Sequence, residues 1–310
     1  MAQHAEASTI PSVKDLASSD CSELAFAPNQ KQSHPIGFRP GPSTDSPNRV
    51  EASKRRACLN TIISFLNDQN TSSPVTLTES LQLWRGFYVA LYMHDSKNAL
   101  SVQRLAAELA ATLRIMDEKD HESPAASAPG SDAQSHPWLD VWTTAFWETV
   151  CREWSSIDQW RMNKVLLLVR FFVRELFSLA FGWATNTDAS ASTSTPQSLV
   201  ASQLQILENW PLSPRERKVP DGLRLHVLDV WVDELAGQFD AAQRDVAVAE
   251  SEQQSDDGDA VADAQKVKTV LLDTAKAFMA PVEKLSKEAL SRGVKVRAKE
   301  AIQLAEEKFS

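Results

Sequence analysis

Residues 146–177, FWETVCREWSSIDQWRMNKVLLLVRFFVRELF, decide the fold. Leu139, Trp142, Phe146, Val150 and Trp154 recur at three- and four-residue intervals, the spacing of one helix face. Val141, Ala145 and Trp147 are apolar off that stripe, so the helix is expected to be buried on more than one side. Pro137 suits its first turn. Residues 156–159 tighten or break the chain, and a second helix runs on to about Gly182. Its core, VLLLVRFFV (165–173), reaches membrane-spanning length if extended to Trp183. Arg170, Arg174 and Glu175 make a bilayer location costly and favour a core helix.

Working outward, the same periodicity recurs on both sides. Ala57, Leu59, Ile62, Ile63 and Leu66 mark a short amphipathic helix. A second helix starts near Thr78, Glu79 and Ser80 and carries Leu81, Trp84, Tyr88, Leu91 and Tyr92. Residues 101–116 follow, with Val102, Leu105, Leu109, Leu113 and Met116 on one face. Residues 198–210 form another helix, stopped by PLSP. One more begins near residue 221, with Leu223, Val227, Val230, Trp231 and Leu235 as its stripe. Nine glycines in 310 residues and no strand-like alternation complete the case. The fold class is all-α, an irregular array of stacked helical hairpins of the α-solenoid or HEAT-like kind. No repeat of fixed period accompanies it.

Four segments are expected. Residues 1–49, rich in Ser, Pro, Gln and Asn, read as a disordered arm. Residues 50–240 form the helical domain, interrupted by low-complexity stretches at 120–136 and 185–198. Residues 240–263 hold eight acidic residues against one basic, and read as a solvated helix extension followed by an acidic loop over 241–263. Residues 264–310 return to helix with ten basic residues against six acidic.

Composition narrows the chemistry. Cys21, Cys58 and Cys151 are odd in number and far apart, which fits neither a disulfide framework nor a zinc pair and suits a reducing compartment. The N-terminus shows no apolar secretory segment. The six histidines form no HxxxH or HExxH pattern, and no metal or cofactor site is expected. Glu148, Glu153 and Asp158 read as an ion-paired helix edge rather than a catalytic pair. His94 reads as a helix-end residue that caps or packs and His226 as a satisfied core or interface histidine. Asp158 is placed to cap the helix after the break, with Arg161 bridging back to Glu153 or meeting a partner. Nothing here supports a ribonuclease, and the chain reads as a binding protein, not an enzyme.

All nine tryptophans lie between residues 84 and 231. At helical spacing they read mainly as core. Trp138 and Trp160 fit a stripe least well and, with Arg161 and Lys164, are the candidate partner contacts. The net charge of −9 falls to about −2 without residues 240–263, so the helical block is no strong electrostatic RNA binder. Basic clusters exist at Lys54, Arg55 and Arg56, at Arg215, Arg217 and Lys218, and at Arg292, Lys295, Arg297 and Lys299. The first and last are the candidate RNA contacts, and the last is preferred.

Three ordered stretches carry a resemblance: LQLWRGFYVALYMHD (81–95), residues 146–177 quoted above, and VPDGLRLHVLDVWVDEL (219–235). Together they resemble the ribosomal RNA processing protein 1 family, also called the nucleolar protein of 52 kDa family, over about residues 50–240. The resemblance implies a non-enzymatic assembly factor in the nucleolus. It implies action within pre-60S particles, in the processing that yields the large-subunit and 5.8S RNAs. It also implies Brix-domain, WD-repeat and Mak16-type proteins as partners, with pre-rRNA as a secondary contact and no membrane or small-molecule substrate. The family's Arg-Leu-Asp-Lys-Phe-like run is here Arg161-Met162-Asn163-Lys164-Val165, without the aspartate and the aromatic. Residues 241–310 lie outside the resemblance. The alternative is a general nuclear interaction scaffold, such as a transport or chromatin adaptor.

Overall fold

A computed structural model describes residues 47–68, 74–95, 97–122, 137–185, 195–252 and 258–309. Among them every regular element is helical. Of the arm expected over 1–49, residues 1–46 lie outside the described residues, whereas 47–49 are helical; 123–136 and 186–194, within the expected polar stretches, and 253–257 of the acidic stretch also lie outside them.

The helices are α1 (Pro47–Asp68), α2 (Leu77–Tyr92), α3 (Ala99–Ala110), α4 (Thr112–Glu122), α5 (Pro137–Glu153), α6 (Met162–Thr185), α7 (Pro196–Asn209), α8 (Asp221–Glu252), α9 (Gly258–Glu288) and α10 (Arg292–Phe309). A 3-10 turn at Trp154–Ser156 separates α5 from α6, within the break expected from the sequence. α2 starts at Leu77, one residue before the Thr78 reading, with Thr76 as its N-cap. Thr76 and Glu79 form a reciprocal capping box there, the Thr76 hydroxyl accepting from Glu79 N–H and the Glu79 carboxylate from Thr76 N–H. The single helix expected over 101–116 is two, α3 and α4, divided at Ala111. The acidic stretch differs more. α8 continues to Glu252 and α9 begins at Gly258, so 241–252 and 258–263 are helix, not loop.

α6 is the centre of the packing. It touches α2, α3, α4, α7, α8 and α9. Three of its phenylalanines tie it to its neighbours. Phe172 stacks on Phe146 of α5 and meets Trp84 of α2 edge-on. Phe177 meets Trp231 of α8 and Phe278 of α9 at 4.8 and 5.1 Å between ring centroids. Phe181 contacts Phe239 of α8, which in turn meets Phe309 of α10. Each fully buried ring of this kind contributes about 1.5–3 kcal/mol. One apolar cluster runs from Leu59 to Ala305, so α9 and α10 share the core of the preceding helices.

The charges that argued against a bilayer have a structural partner. Arg170 and Arg174 both donate to Glu234 of α8, whose side chain is 4% exposed, while the arginines are partly open to solvent. No described helix is long and apolar enough to cross a membrane.

Asp120, near the end of α4, caps the start of α5. Its two carboxylate oxygens accept from Trp138 N–H at 3.0 Å and Leu139 N–H at 2.9 Å. Burial pushes this carboxyl up to about 7, against the lowering effect of those backbone donors. The folded protein therefore holds the proton more tightly than the unfolded chain. Asp120 adds stability as pH falls from above 7 toward the ordinary carboxylate range, and loses it as pH rises through about 7. Urea unfolding across that window should show wild type gaining stability on acidification relative to Asp120→Asn; parallel pH profiles would refute the assignment.

A second prediction concerns Gly222 in the first turn of α8. A Cβ built there would lie 3.2–3.3 Å from the Trp154 indole. Gly222→Val should overpack this contact and cost about 1–3 kcal/mol, read as a lower midpoint in thermal unfolding followed by circular dichroism.

Candidate interaction surfaces

The three motif-bearing stretches meet side by side. Arg85 of α2 pairs with Glu153 at the end of α5 at 2.8 Å. The Tyr92 hydroxyl donates to Asp158 at 2.9 Å, and the Arg161 guanidinium lies over the Tyr92 ring, 4.6 Å from its centroid. On the other side, Trp154 packs on Gly222, and His226 donates from Nε2 to the Leu166 carbonyl at 2.9 Å. Because a carbonyl only accepts, the Nε2 tautomer is fixed. Burial, the largest cause, holds His226 below the usual histidine range, as expected of a satisfied core or interface histidine. His94 closes the end of α2 through a hydrogen bond to Ser101.

Asp158 caps the turn into α6 as anticipated. Its Oδ1 accepts from the N–H groups of Trp160 and Arg161 at 3.0 and 2.9 Å. Arg161 does not reach Glu153, however: its guanidinium pairs with Asp158, and Glu153 is held by Arg85. These contacts hold Asp158 below the usual carboxylate range; burial opposes them, but the Tyr92 and Arg161 hydrogen bonds prevail. Glu148 pairs with Arg152 one turn on. The three carboxylates form an ion-paired edge.

The four candidate partner contacts separate. Trp138 is 1% exposed and belongs to the core, because both sides of the start of α5 are covered. Its indole N–H has no hydrogen-bond partner among the described residues. Lys164 is also buried. Its ammonium donates to the carbonyls of Tyr92 and His94, closing the C-terminal end of α2. Arg161 is committed to Asp158 and Tyr92. Trp160 alone points outward, 81% exposed at the tip of the turn between α5 and α6. The departure from the family run is mild in packing terms: Asn163 faces solvent and Val165 is fully buried.

The basic clusters also differ from one another. Arg56 of α1 is paired with Glu108 of α3 at 2.6 Å, and Arg55 is not free, while Lys54 is exposed. Arg297 pairs with Asp229 of α8 and Glu300. Arg292 and Lys299 are exposed and Lys295 is half-buried.

Arg224, in the PDGLRLH stretch, has a role that the sequence reading missed. Its guanidinium is nearly buried and donates to the carbonyls of Ser213, Glu216 and Val219 at 2.6–2.8 Å and to Asp221 at 3.0 Å. It holds the irregular segment between α7 and α8 in one shape. The only sequence signal was an arginine three residues after an aspartate at a helix start. Glu234 was missed for a related reason: an acidic residue beside an apolar stripe looks like an edge residue until the opposing arginines are seen.

Cys151 is a free, buried thiol, pushed up to about 12 by burial. Cys58 is disulfide-bonded, against the expectation of reduced cysteines throughout. Among the described residues no cluster of histidine, cysteine or carboxylate side chains is arranged to hold a metal ion.

Comparison with known proteins places these features. The chain is 32% identical over 177 residues to a ribosomal RNA processing protein 1 homolog of Drosophila melanogaster, covering 56% of this chain and 21% of that protein. It is 27% identical over 160 residues to the human homolog B, covering 51% and 17%. It is 26% identical over 170 residues to the mouse homolog A, covering 54% and 28%. The chain thus spans well under a third of the length of these relatives. A match to the family described as "Nucleolar protein, Nop52" covers residues 48–310, so it takes in α9 and α10, which the motif resemblance had left out. The chain belongs to the nucleolar protein Nop52 family.

Proposed function

We propose that this chain is a non-enzymatic scaffold of the nucleolar pre-60S particle, supporting the processing of pre-rRNA to the large-subunit and 5.8S RNAs. The observation that carries this reading is the convergence of the three family stretches on one brace around α6, with Trp160 projecting from it. The carboxylates along the brace are engaged in ion pairs, and its arginines serve the fold. Such a body offers shape rather than reactive groups. Relatives named for ribosomal RNA processing support the same reading.

Protein contacts come first in this mechanism. Trp160 is the anchor, since an exposed tryptophan on a rigid turn supplies large contact area at small entropic cost. Brix-domain, WD-repeat and Mak16-type assembly factors are the proposed partners. Pre-rRNA is a secondary contact, through cations among Lys54, Arg55, Arg56, Arg292, Lys295, Arg297 and Lys299.

Gradient sedimentation of nucleolar extract tests this. The full chain should travel with large-subunit precursors. Trp160→Ala should weaken that association by about tenfold or more, the loss typical of a tryptophan hot spot, with unchanged thermal unfolding. A wild-type chain absent from those fractions would overturn the reading in favour of a general nuclear adaptor.

A further inference from the structure

Two basic segments that are far apart in sequence come together at one end of α8. The segment between α7 and α8 and the turn between α9 and α10 line a common cavity of about 570 Å³, with Arg215 and Arg217 on one side and Leu290 and Ser291 on the other. The Leu290 N–H donates to the Pro214 carbonyl at 3.3 Å, joining the two backbones. Arg292 follows at once and lines a neighbouring cavity of about 470 Å³ on α10. Lys295 and Lys299 follow along α10 at near-helical-repeat intervals, so they lie with Arg292 along one side of it.

The charge at this pole is not cancelled locally. Of its acidic residues, Asp221 pairs with Arg224, and the Glu216 carboxylate accepts the Lys218 N–H. Glu288 reaches Arg215 only at 3.7 Å. By contrast Arg217, Lys218, Arg292, Lys295 and Lys299 have no carboxylate within ion-pair distance among the described residues. α10 also begins here with no acidic residue in its first turn, so its dipole adds to the positive field. The four hydrogen bonds of buried Arg224 hold the segment that carries Arg215, Arg217 and Lys218 in shape before any ligand arrives. The basic cluster on α1 lacks these properties, because Arg56 is already neutralised by Glu108.

We infer that this pole is a composite site for the phosphate backbone of RNA, made jointly by Arg217 and Lys218 with Arg292, Lys295 and Lys299. The inference rests on the scaffold reading above and assigns its RNA contact to one place. Uncompensated cations spread over two braced segments suit a run of phosphates, and exposed Leu290 between them offers a surface on which a sugar or base can pack. An acidic protein segment is the competing occupant.

The test uses the full chain, an oligouridylate as probe and polyglutamate as competitor. Arg217→Glu with Lys218→Glu, and separately Arg292→Glu with Lys295→Glu, should each weaken RNA binding by about tenfold or more and lower the salt slope by about 1 per contact removed. Arg104→Glu, at an exposed position of α3, should leave both unchanged, and the circular dichroism melts of all variants should match wild type. Because these side chains are at the surface, the milder Arg217→Gln and Arg292→Gln should act in the same direction if a charge reversal perturbs folding. RNA binding that survives the pole variants, or polyglutamate that binds more tightly than RNA and displaces it, would overturn the inference. A wild-type chain that travels with large-subunit precursors while the pole variants retain RNA binding would defeat this site and leave the scaffold reading standing.

Discussion

The Glu234 carboxylate sits between Arg170 and Arg174, and this contact is what allows α6 to lie at the middle of the molecule. α6 carries aromatic rings that meet α2 and α5 at Phe172 and α8 and α9 at Phe177 and Phe181. Two arginines in such a helix would normally keep one side in water. Glu234 lets that side be covered by α8 while the guanidiniums remain partly hydrated, so the cost of burying charge falls mainly on one carboxylate that receives two donors. The pairing also sets the register of α8 against α6, because a one-residue slip of either helix rotates Glu234 by about 100° away from its partners. Trp231, on the same helix, is then delivered to Phe177 and Phe278.

From this register the family stretches acquire their sense. Placing α8 against α6 brings Gly222 beneath the Trp154 indole, where no larger side chain fits easily. Arg224, two residues further on, then turns inward and gathers the carbonyls of the preceding irregular segment. On the opposite side Arg85, Tyr92, Asp158 and Arg161 tie α2 to the turn between α5 and α6, and Lys164 closes the end of α2 from within α6. Most of the polar residues in these stretches therefore hold helices to one another. Trp160 is the member of the set left facing water, which is why it stands apart as the proposed contact for another molecule.

The same accounting separates charges that serve the fold from charges that remain available. A net charge of −9 argues against a general affinity for nucleic acid. Net charge, however, says nothing of how charges are paired. At the α8–α10 pole the acidic side chains are engaged and several basic ones are not, so a positive surface sits on an acidic protein. Phosphate contact at such a place would be local and sensitive to salt, in keeping with the proposed scaffold role.

By itself the sequence determined that the chain is helical, where most helices lie, and which faces are apolar. Periodicity, caps and breakers act within a few residues and are legible without the rest of the molecule. The cap at Asp158, the satisfied role of His226 and the ion-paired edge of Glu148, Glu153 and Asp158 were legible for that reason, and the order of three stretches carried the family. Only the tertiary structure decided that Trp138 and Lys164 are internal, that Arg161 serves Asp158 rather than Glu153, that α9 and α10 complete the common core, and that the basic segments at 215–218 and 292–299 meet. Those outcomes depend on which helices pack together and in what register, and side chains distant in the chain become partners only once that packing exists.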